Sequence, residues 1–345
     1  MAALDVEKLL RPVKDEAPAG EDLAYDTAYL ELLRKAEGTP EQQVGETIIP
    51  AEDPDWREVH DQCLSLLGRT KDLRLLILLL VSSLQTRGLP GLRDAIALLR
   101  QTIEQHWEAL YPRLDPDDNN DPLERLNIVG ALAAPPEAVG DPLKIQKRLR
   151  ETPLTNSRAM GRFSLRHLAL ASGEAQPRGE EAVPESAIIE AAFDDTPLED
   201  LQTIGDAISG AVDEFRALDS KLEAAVGAGR MPDLAPFQKC LSEVRTVVAR
   251  ALARRGVGSA VDGATPNGSG AHAGGVSAPG EIRSHQDVLL ALDRICQYYE
   301  RAEPSSPVPL LLQRAKRLVS RNFVDILSDL SPDSMAQFKL IAGIE

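Results

Sequence analysis

A mostly α-helical chain, divided by one flexible segment, is predicted from three observations. Aromatic residues make up only 4% of the sequence while Ala and Leu are abundant, a composition that favours helices. Apolar residues recur in steps of three and four over several long stretches. Between Gly256 and Gly280, eight of 25 residues are glycine, no Lys or Arg occurs, and the apolar periodicity disappears. The expected organisation of the 345 residues is an N-terminal helical bundle over 1–135, then a middle region with a long helical hairpin over 136–255. A flexible Gly-rich linker over 256–280 and a small helical unit over 281–345 follow.

In the N-terminal third, helices are expected to begin after Asp53-Pro54, Lys71-Asp72, Pro90-Gly91 and Asp121-Pro122. Trp56, Val59, Cys63, Leu66 and Leu67 form one apolar face; Leu92, Ile96, Leu99, Ile103 and Trp107 form another. The most apolar run, Leu73 to Leu84, contains Arg74 and two serines and falls short of the roughly 20 residues that cross a bilayer. It reads as a helix buried on nearly all sides. From Pro153 to Ser172, Phe163 and Leu165 alternate with Arg162, Ser164 and Arg166, which suggests a short strand.

The middle hairpin is the most regular pattern. Leu201, Ile204, Ile208, Ala211, Phe215, Leu218, Leu222 and Ala225 form a seam that wants a partner helix. Leu234, Phe237, Leu241, Val244, Val248 and Ala251 supply one, after a turn containing Gly227, Gly229 and Pro232. An intramolecular arm and an intermolecular coiled coil both satisfy this pattern. Thr196, Pro197 and Glu199 read as a capping-box start for the first arm.

Beyond the linker, Val288, Leu289, Leu292, Ile295, Cys296 and Tyr299 recur at helical spacing, as do Leu311, Ala315, Leu318, Val319, Phe323, Ile326 and Leu330. Between them, Glu303-Pro304-Ser305-Ser306-Pro307-Val308-Pro309 sets a corner, with Pro304 ending one helix and Ser306 and Pro307 able to open the next. A unit this small often gains stability by oligomerising. Leu292, Ile295, Tyr299, Leu311, Ala315 and Phe323 on the apolar faces, with the corner residues, are therefore candidate self-association residues. Glu303 can accept from the amides opening the second helix or pair with Arg314; an exposed acid is the plain alternative.

The formal net charge of −16 argues against broad nucleic-acid binding, which needs cationic surface to displace counterions from phosphate. One local exception is the seven basic residues Lys144, Lys147, Arg148, Arg150, Arg158, Arg162 and Arg166, set against the single acid Glu151. The patch reads as a solvated helix face, or as a dock for an acidic partner or another copy of the chain. Cys63, Cys240 and Cys296 sit in apolar helical patterns and read as reduced core thiols. The N-terminus has no basic start followed by an apolar run, so a cytoplasmic protein without membrane insertion is expected.

Sites for chemistry are not legible. The five histidines are scattered, with no metal-ligand spacing, so no metal or other cofactor is expected. The stretch from Asp115 to Asp121 has the acidity of a calcium loop, but Asn120 stands where the turn glycine belongs and Leu126 where the bidentate carboxylate belongs. No phosphate-cradling loop, dinucleotide fingerprint or nucleophile elbow is present.

Trp56, the run Thr70-Lys71-Asp72-Leu73-Arg74, Gly88-Leu89-Pro90-Gly91-Leu92, Trp107 with Leu110-Tyr111-Pro112, and Asp115 to Arg125 together resemble the N-terminal domain of the ImpA/TssA family of bacterial type VI secretion systems. Pro153-Leu154-Thr155 and Gly161-Arg162-Phe163-Ser164-Leu165 resemble the start of its middle region, and the Glu-Pro-Ser-Ser-Pro-Val-Pro corner with Arg314-Ala315 resembles the short-form members. The last domain of those members is similar to a wedge component of contractile phage baseplates and builds rings. The resemblance implies a non-enzymatic assembly protein at the membrane-docked baseplate in the bacterial cytoplasm, one that primes sheath and tube polymerisation. Implied partners are the baseplate subunits TssK and TssF, the tube protein Hcp, the sheath proteins and the ATPase ClpV. Other family members cap the distal end of the sheath. A generic helical adaptor and a hydrolase using the acidic loops remain as alternatives; the second needs carboxylates clustered in a pocket, whereas Asp115, Asp117, Asp118 and Asp121 belong to a Pro- and Asn-rich turn that should be solvated.

Overall fold

Aspartates start the first four helices. In α1 (Val6–Leu10), α2 (Thr27–Glu37), α3 (Trp56–Leu67) and α4 (Leu73–His106), the carboxylates of Asp5, Asp26, Asp55 and Asp72 accept from first-turn amides that have no partner within the helix. Each such cap contributes about 1 kcal/mol. The structure is a computed structural model that describes residues 4–39, 42–44, 47–49, 52–136, 138, 141–179 and 181–257, together with the single positions 295 and 312. The chain divides between residues 262 and 263, inside the expected linker.

Between α2 and α3, β1 (Gln42–Val44) pairs antiparallel with β2 (Thr47–Ile49), with Val44 opposite Thr47. Strands of three residues are too short to show a period of two, which is why the sequence pattern did not reveal them.

Helix α4 is not one straight rod. At 1.5 Å per residue its 34 residues would span about 50 Å, yet the Leu73 amide donates to the Tyr111 carbonyl at 2.9 Å. The chain must reverse, and it does so at Gly88, whose φ of +65° and ψ of −149° are open essentially to glycine alone. Residues 73–87 and 89–106 are therefore antiparallel arms, with Pro90 in the first turn of the second arm, where its missing amide costs nothing. Gly91 lets the arms touch: a Cβ there would lie 2.4 Å from the Ser83 carbonyl oxygen. The segment Leu73–Ala109 is apolar and long enough to cross a membrane by composition. Each arm is shorter than the roughly 20 residues a span needs, and Leu75 to Leu84 is buried without a break.

After α5 (Leu123–Gly130), α6 (Ile145–Glu151), α7 (Leu165–Ala171) and α8 (Ser186–Asp195), the long helices α9 (Leu198–Val226) and α10 (Ala235–Arg254) form the expected hairpin within one chain. Phe215 and Phe237 meet edge to face with ring centroids 5.0 Å apart, and Leu201, Ile208, Ala211, Phe215, Leu218 and Leu222 of the seam are buried, with Ile204 partly so. The more extensive partner of α9 is nevertheless α4. Gly210 lies against Arg93, and Lys221 pairs with Glu104 at 2.6 Å. Residue 135 consequently divides no packing unit: the bundle and the hairpin share one core, each buried Leu of which contributes about 1.5–3 kcal/mol relative to exposure.

Two local expectations are corrected. The alternation around Phe163 is not a strand; Leu165 opens α7, with Ser164 at its N-cap and the His167 ring reaching back at 2.9 Å to the Ser164 hydroxyl. Thr196 does not cap α9. Its hydroxyl donates to the Ala192 carbonyl at 2.7 Å and accepts from the Asn156 amide at 3.0 Å, finishing α8 and tying it to a loop.

Candidate functional site

The motif residues separate into groups at the two ends of the α4 hairpin. At the open end, Asp72 caps α4, receives the Tyr29 hydroxyl at 3.4 Å and lies 3.9 Å from the Arg74 guanidinium. Arg74 also pairs with Glu124 of α5. Burial raises the Asp72 carboxyl above the usual carboxylate range, and the Tyr29 phenol is likewise pushed up by burial. Beside them Arg125, 1% exposed, donates to the carbonyls of Leu110 at 2.7 Å, Pro112 at 2.8 Å and Trp107, with its guanidinium 4.8 Å from the Trp107 ring centroid. Burial lowers its pKa to about 10, which leaves it charged at neutral pH. The cis Tyr111–Pro112 peptide lies within this clasp, which fixes the turn that follows α4 to α5.

The closed end holds Gly88 and Gly91. Arg87 reaches past the reversal to Asp94 at 3.0 Å, each side chain only 11% exposed, which pins the arms together. Nearby, Trp56 is buried beneath Arg148, whose guanidinium stands 4.6 Å from the ring centroid and forks onto Asp53 at 2.9 and 3.0 Å. Hydrogen bonding from Arg148 holds the Asp53 carboxyl below its usual range. A cleft of about 550 Å³ opens here, lined by Gly88, Arg148, Thr155, Asn156, Arg162 and Asp200 among others. Trp56, Asp72, Leu73, Gly91 and Arg125 are thus interior residues that shape the hairpin; Arg74, Gly88, Trp107 and Pro112 are partly exposed beside them.

Alongside the cleft, residues 154–163 form a tightly bonded loop. The Asp195 carboxylate accepts the Ser157 hydroxyl at 2.6 Å and is further stabilised by the backbone amides of Ala159 and Arg158, which together hold its carboxyl below the usual range. Thr155 bridges the loop, its hydroxyl taking the Phe163 amide at 2.8 Å and donating to the Gly161 carbonyl at 3.3 Å. The Asn156 side chain donates to Asp200 at 2.9 Å.

Most of the basic patch is neutralised in place. Arg148 goes to Asp53, Arg150 to Glu243 at 2.8 Å, Arg166 to Glu181 at 2.6 Å, and Lys147 lies 4.0 Å from Glu151. Arg158 and Arg162 are exposed and have no ion-pair partner among the described residues. The acid partners Asp53, Glu181 and Glu243 are distant in sequence, so the sequence pattern carried no signal of them.

The Asp115 turn is a short 3-10 helix followed by Asn119 and Asn120 at positive φ, and no group of His, Cys, Asp or Glu among the described residues is placed to hold a metal. Cys63 and Cys240 are buried, with burial pushing the Cys240 thiol up to about 11, so neither is a nucleophile at neutral pH. Of the C-terminal candidates, Ile295 is helical and 44% exposed. Leu292, Tyr299, Glu303, Pro304, Ser306, Pro307, Leu311, Arg314, Ala315 and Phe323 lie outside the described residues, as does Cys296.

Residues 10–134 match the family model described as ImpA, N-terminal, type VI secretion system. The fold is similar to that of a solved N-terminal domain including the conserved ImpA_N region of the TssA component from Burkholderia cenocepacia, with a TM-score of 0.59 at 22% identity, covering 74% of this chain and 97% of that one. The chain is also 39% identical over 357 residues to type VI secretion system component TssA1 of Pseudomonas aeruginosa, an alignment covering 99% of each. By this nearly end-to-end likeness, the chain belongs to the ImpA/TssA family of type VI secretion system components.

Proposed function

We propose that the protein is a non-enzymatic assembly component of a bacterial type VI secretion system, acting in the cytoplasm at the membrane-docked baseplate and priming sheath and tube polymerisation. Residues 281–345 form its ring-building unit, joined to residues 1–255 by the linker over 256–280. The observation that carries this reading is the extent of the family likeness, which runs through the C-terminal corner instead of stopping at the N-terminal domain. The charge of −16 favours protein partners over nucleic acid. By the family resemblance these are TssK, TssF, Hcp, the sheath proteins and ClpV. A ring multiplies weak contacts by raising their effective concentration, which suits a scaffold.

Light scattering and negative-stain microscopy of the full chain, beside a version ending at Gly280, test the proposal. The full chain should form rings and the shortened one a species several-fold lighter. Equal masses would move self-association to another region. Fluorescent fusions in the source bacterium separate a baseplate focus from one at the distal sheath tip, and only the former agrees with the proposal.

A further inference from the structure

We propose that the loop over residues 154–163 is a preorganised docking element, which inserts Met160 into an apolar recess of an acidic segment on another protein while Arg158 and Arg162 pair with carboxylates at its rim. Met160 is 44% exposed, although the polar groups around it are engaged inward. The Met160 amide donates to the Ser157 hydroxyl oxygen at 2.8 Å, Gly161 donates to the Ser157 carbonyl at 3.2 Å, and Leu154 donates to the Phe163 carbonyl at 2.7 Å. With Asp195 and Thr155 holding the base, the loop carries exposed Met160 two residues from exposed Arg158 and two from exposed Arg162, without paying the ordering entropy that a mobile loop would incur on binding. An unbranched thioether adapts to an irregular recess, and arginine is enriched among residues that dominate interface energetics.

Charge complementarity identifies the occupant. Arg148, Arg150 and Arg166, in the same basic stretch, are each matched by an acid of this chain, whereas Arg158 and Arg162 have no such acid among the described residues. Two unmatched cations on a chain of net charge −16 provide a local attraction that the rest of the surface opposes. The inference does not depend on ring formation by residues 281–345, and the two fail separately.

The test places the photo-crosslinker p-benzoylphenylalanine at exposed Ala159 of the full chain in the source bacterium while it expresses the secretion system, with exposed Ala224 on α9 as control position. Mass spectrometry of the crosslinked peptide should identify a segment of a different protein with an excess of Asp and Glu around apolar residues. Adding Arg158→Glu and Arg162→Glu should lower the yield roughly tenfold or more, and Met160→Ala should lower it as well, with the mass in solution and the melting temperature unchanged. Absence of a crosslink specific to position 159 would overturn the proposal, as would capture of a second copy of this chain, capture of a segment without acidic excess, or a yield indifferent to charge reversal.

Discussion

Arg125 illustrates why a motif residue need not be a contact residue. It is 1% exposed and donates to three backbone carbonyls in the turn after α4. Arg125→Ala removes the donors and leaves buried acceptors unpaired, so we expect a loss of about 3–5 kcal/mol in urea denaturation of the full chain. Arg125→Lys should recover only part of it, because one ammonium cannot reproduce the planar fork. A loss under about 1 kcal/mol for the alanine variant would put the clasp in doubt. Glu181 supplies a pH signature. Hydrogen bonding from Arg166 comes first among the causes that lower its pKa from an ordinary 4.5 to about 2. A depressed carboxyl stabilises the fold above the unfolded-state value and loses that contribution as pH falls from about 4.5 through about 2. Glu181→Gln should therefore lower the melting temperature at pH 7 and make little difference near pH 2; a gap between variant and parent that widens on acidification would contradict the assignment.

The α4 hairpin is where one residue decides the path of a whole element. Gly88→Ala places a Cβ in open space but forces a non-glycine residue to φ +65°, ψ −149°, a strain of about 1–3 kcal/mol. Gly91→Ala keeps ordinary helical geometry yet drives a Cβ to within 2.4 Å of the Ser83 carbonyl oxygen, so the arms must separate, at a further about 1–3 kcal/mol. Hydrogen exchange distinguishes the mechanisms. Gly91→Ala should raise exchange along the facing sides of both arms, whereas Gly88→Ala should confine it to the turn. Identical exchange patterns would show that the reversal and the close approach are not separable as described. The loop beside the cleft depends on α8 in the same manner, since Asp195 and Thr196 at the end of that helix hold Ser157 and Asn156.

At the scale of the molecule, the shared core of α4, α9 and α10 predicts cooperative behaviour across residue 135. Splitting the first unit into residues 1–135 and 136–257 would expose the apolar face of α9 and its complement on α4. Each fragment alone should show helical circular dichroism but poorly dispersed amide resonances, and the two together should restore dispersion. Well-dispersed spectra from the isolated 1–135 fragment would mean that the N-terminal bundle is a domain in its own right. The 1–257 segment should unfold in a single calorimetric transition, because no surface within it separates independent cores.

Local chemistry in the chain was sufficient to determine the helical class, the α9–α10 seam, the buried run from Leu73 to Leu84 and the family motifs. Each of these is written in residues a few positions apart, where side-chain period and capping act directly. Tertiary structure alone decided that the apolar segment after Asp72 folds back at Gly88, that Thr196 completes α8 instead of starting α9, and that Phe163 precedes a helix. It alone also decided which arginines of the basic stretch are matched. Those outcomes depend on partners such as Asn156 for Thr196, Tyr111 for Leu73, Asp53 for Arg148 and Asp195 for Ser157, all too far along the chain for local propensity to sense. Burial and close approach, not periodicity, selected them.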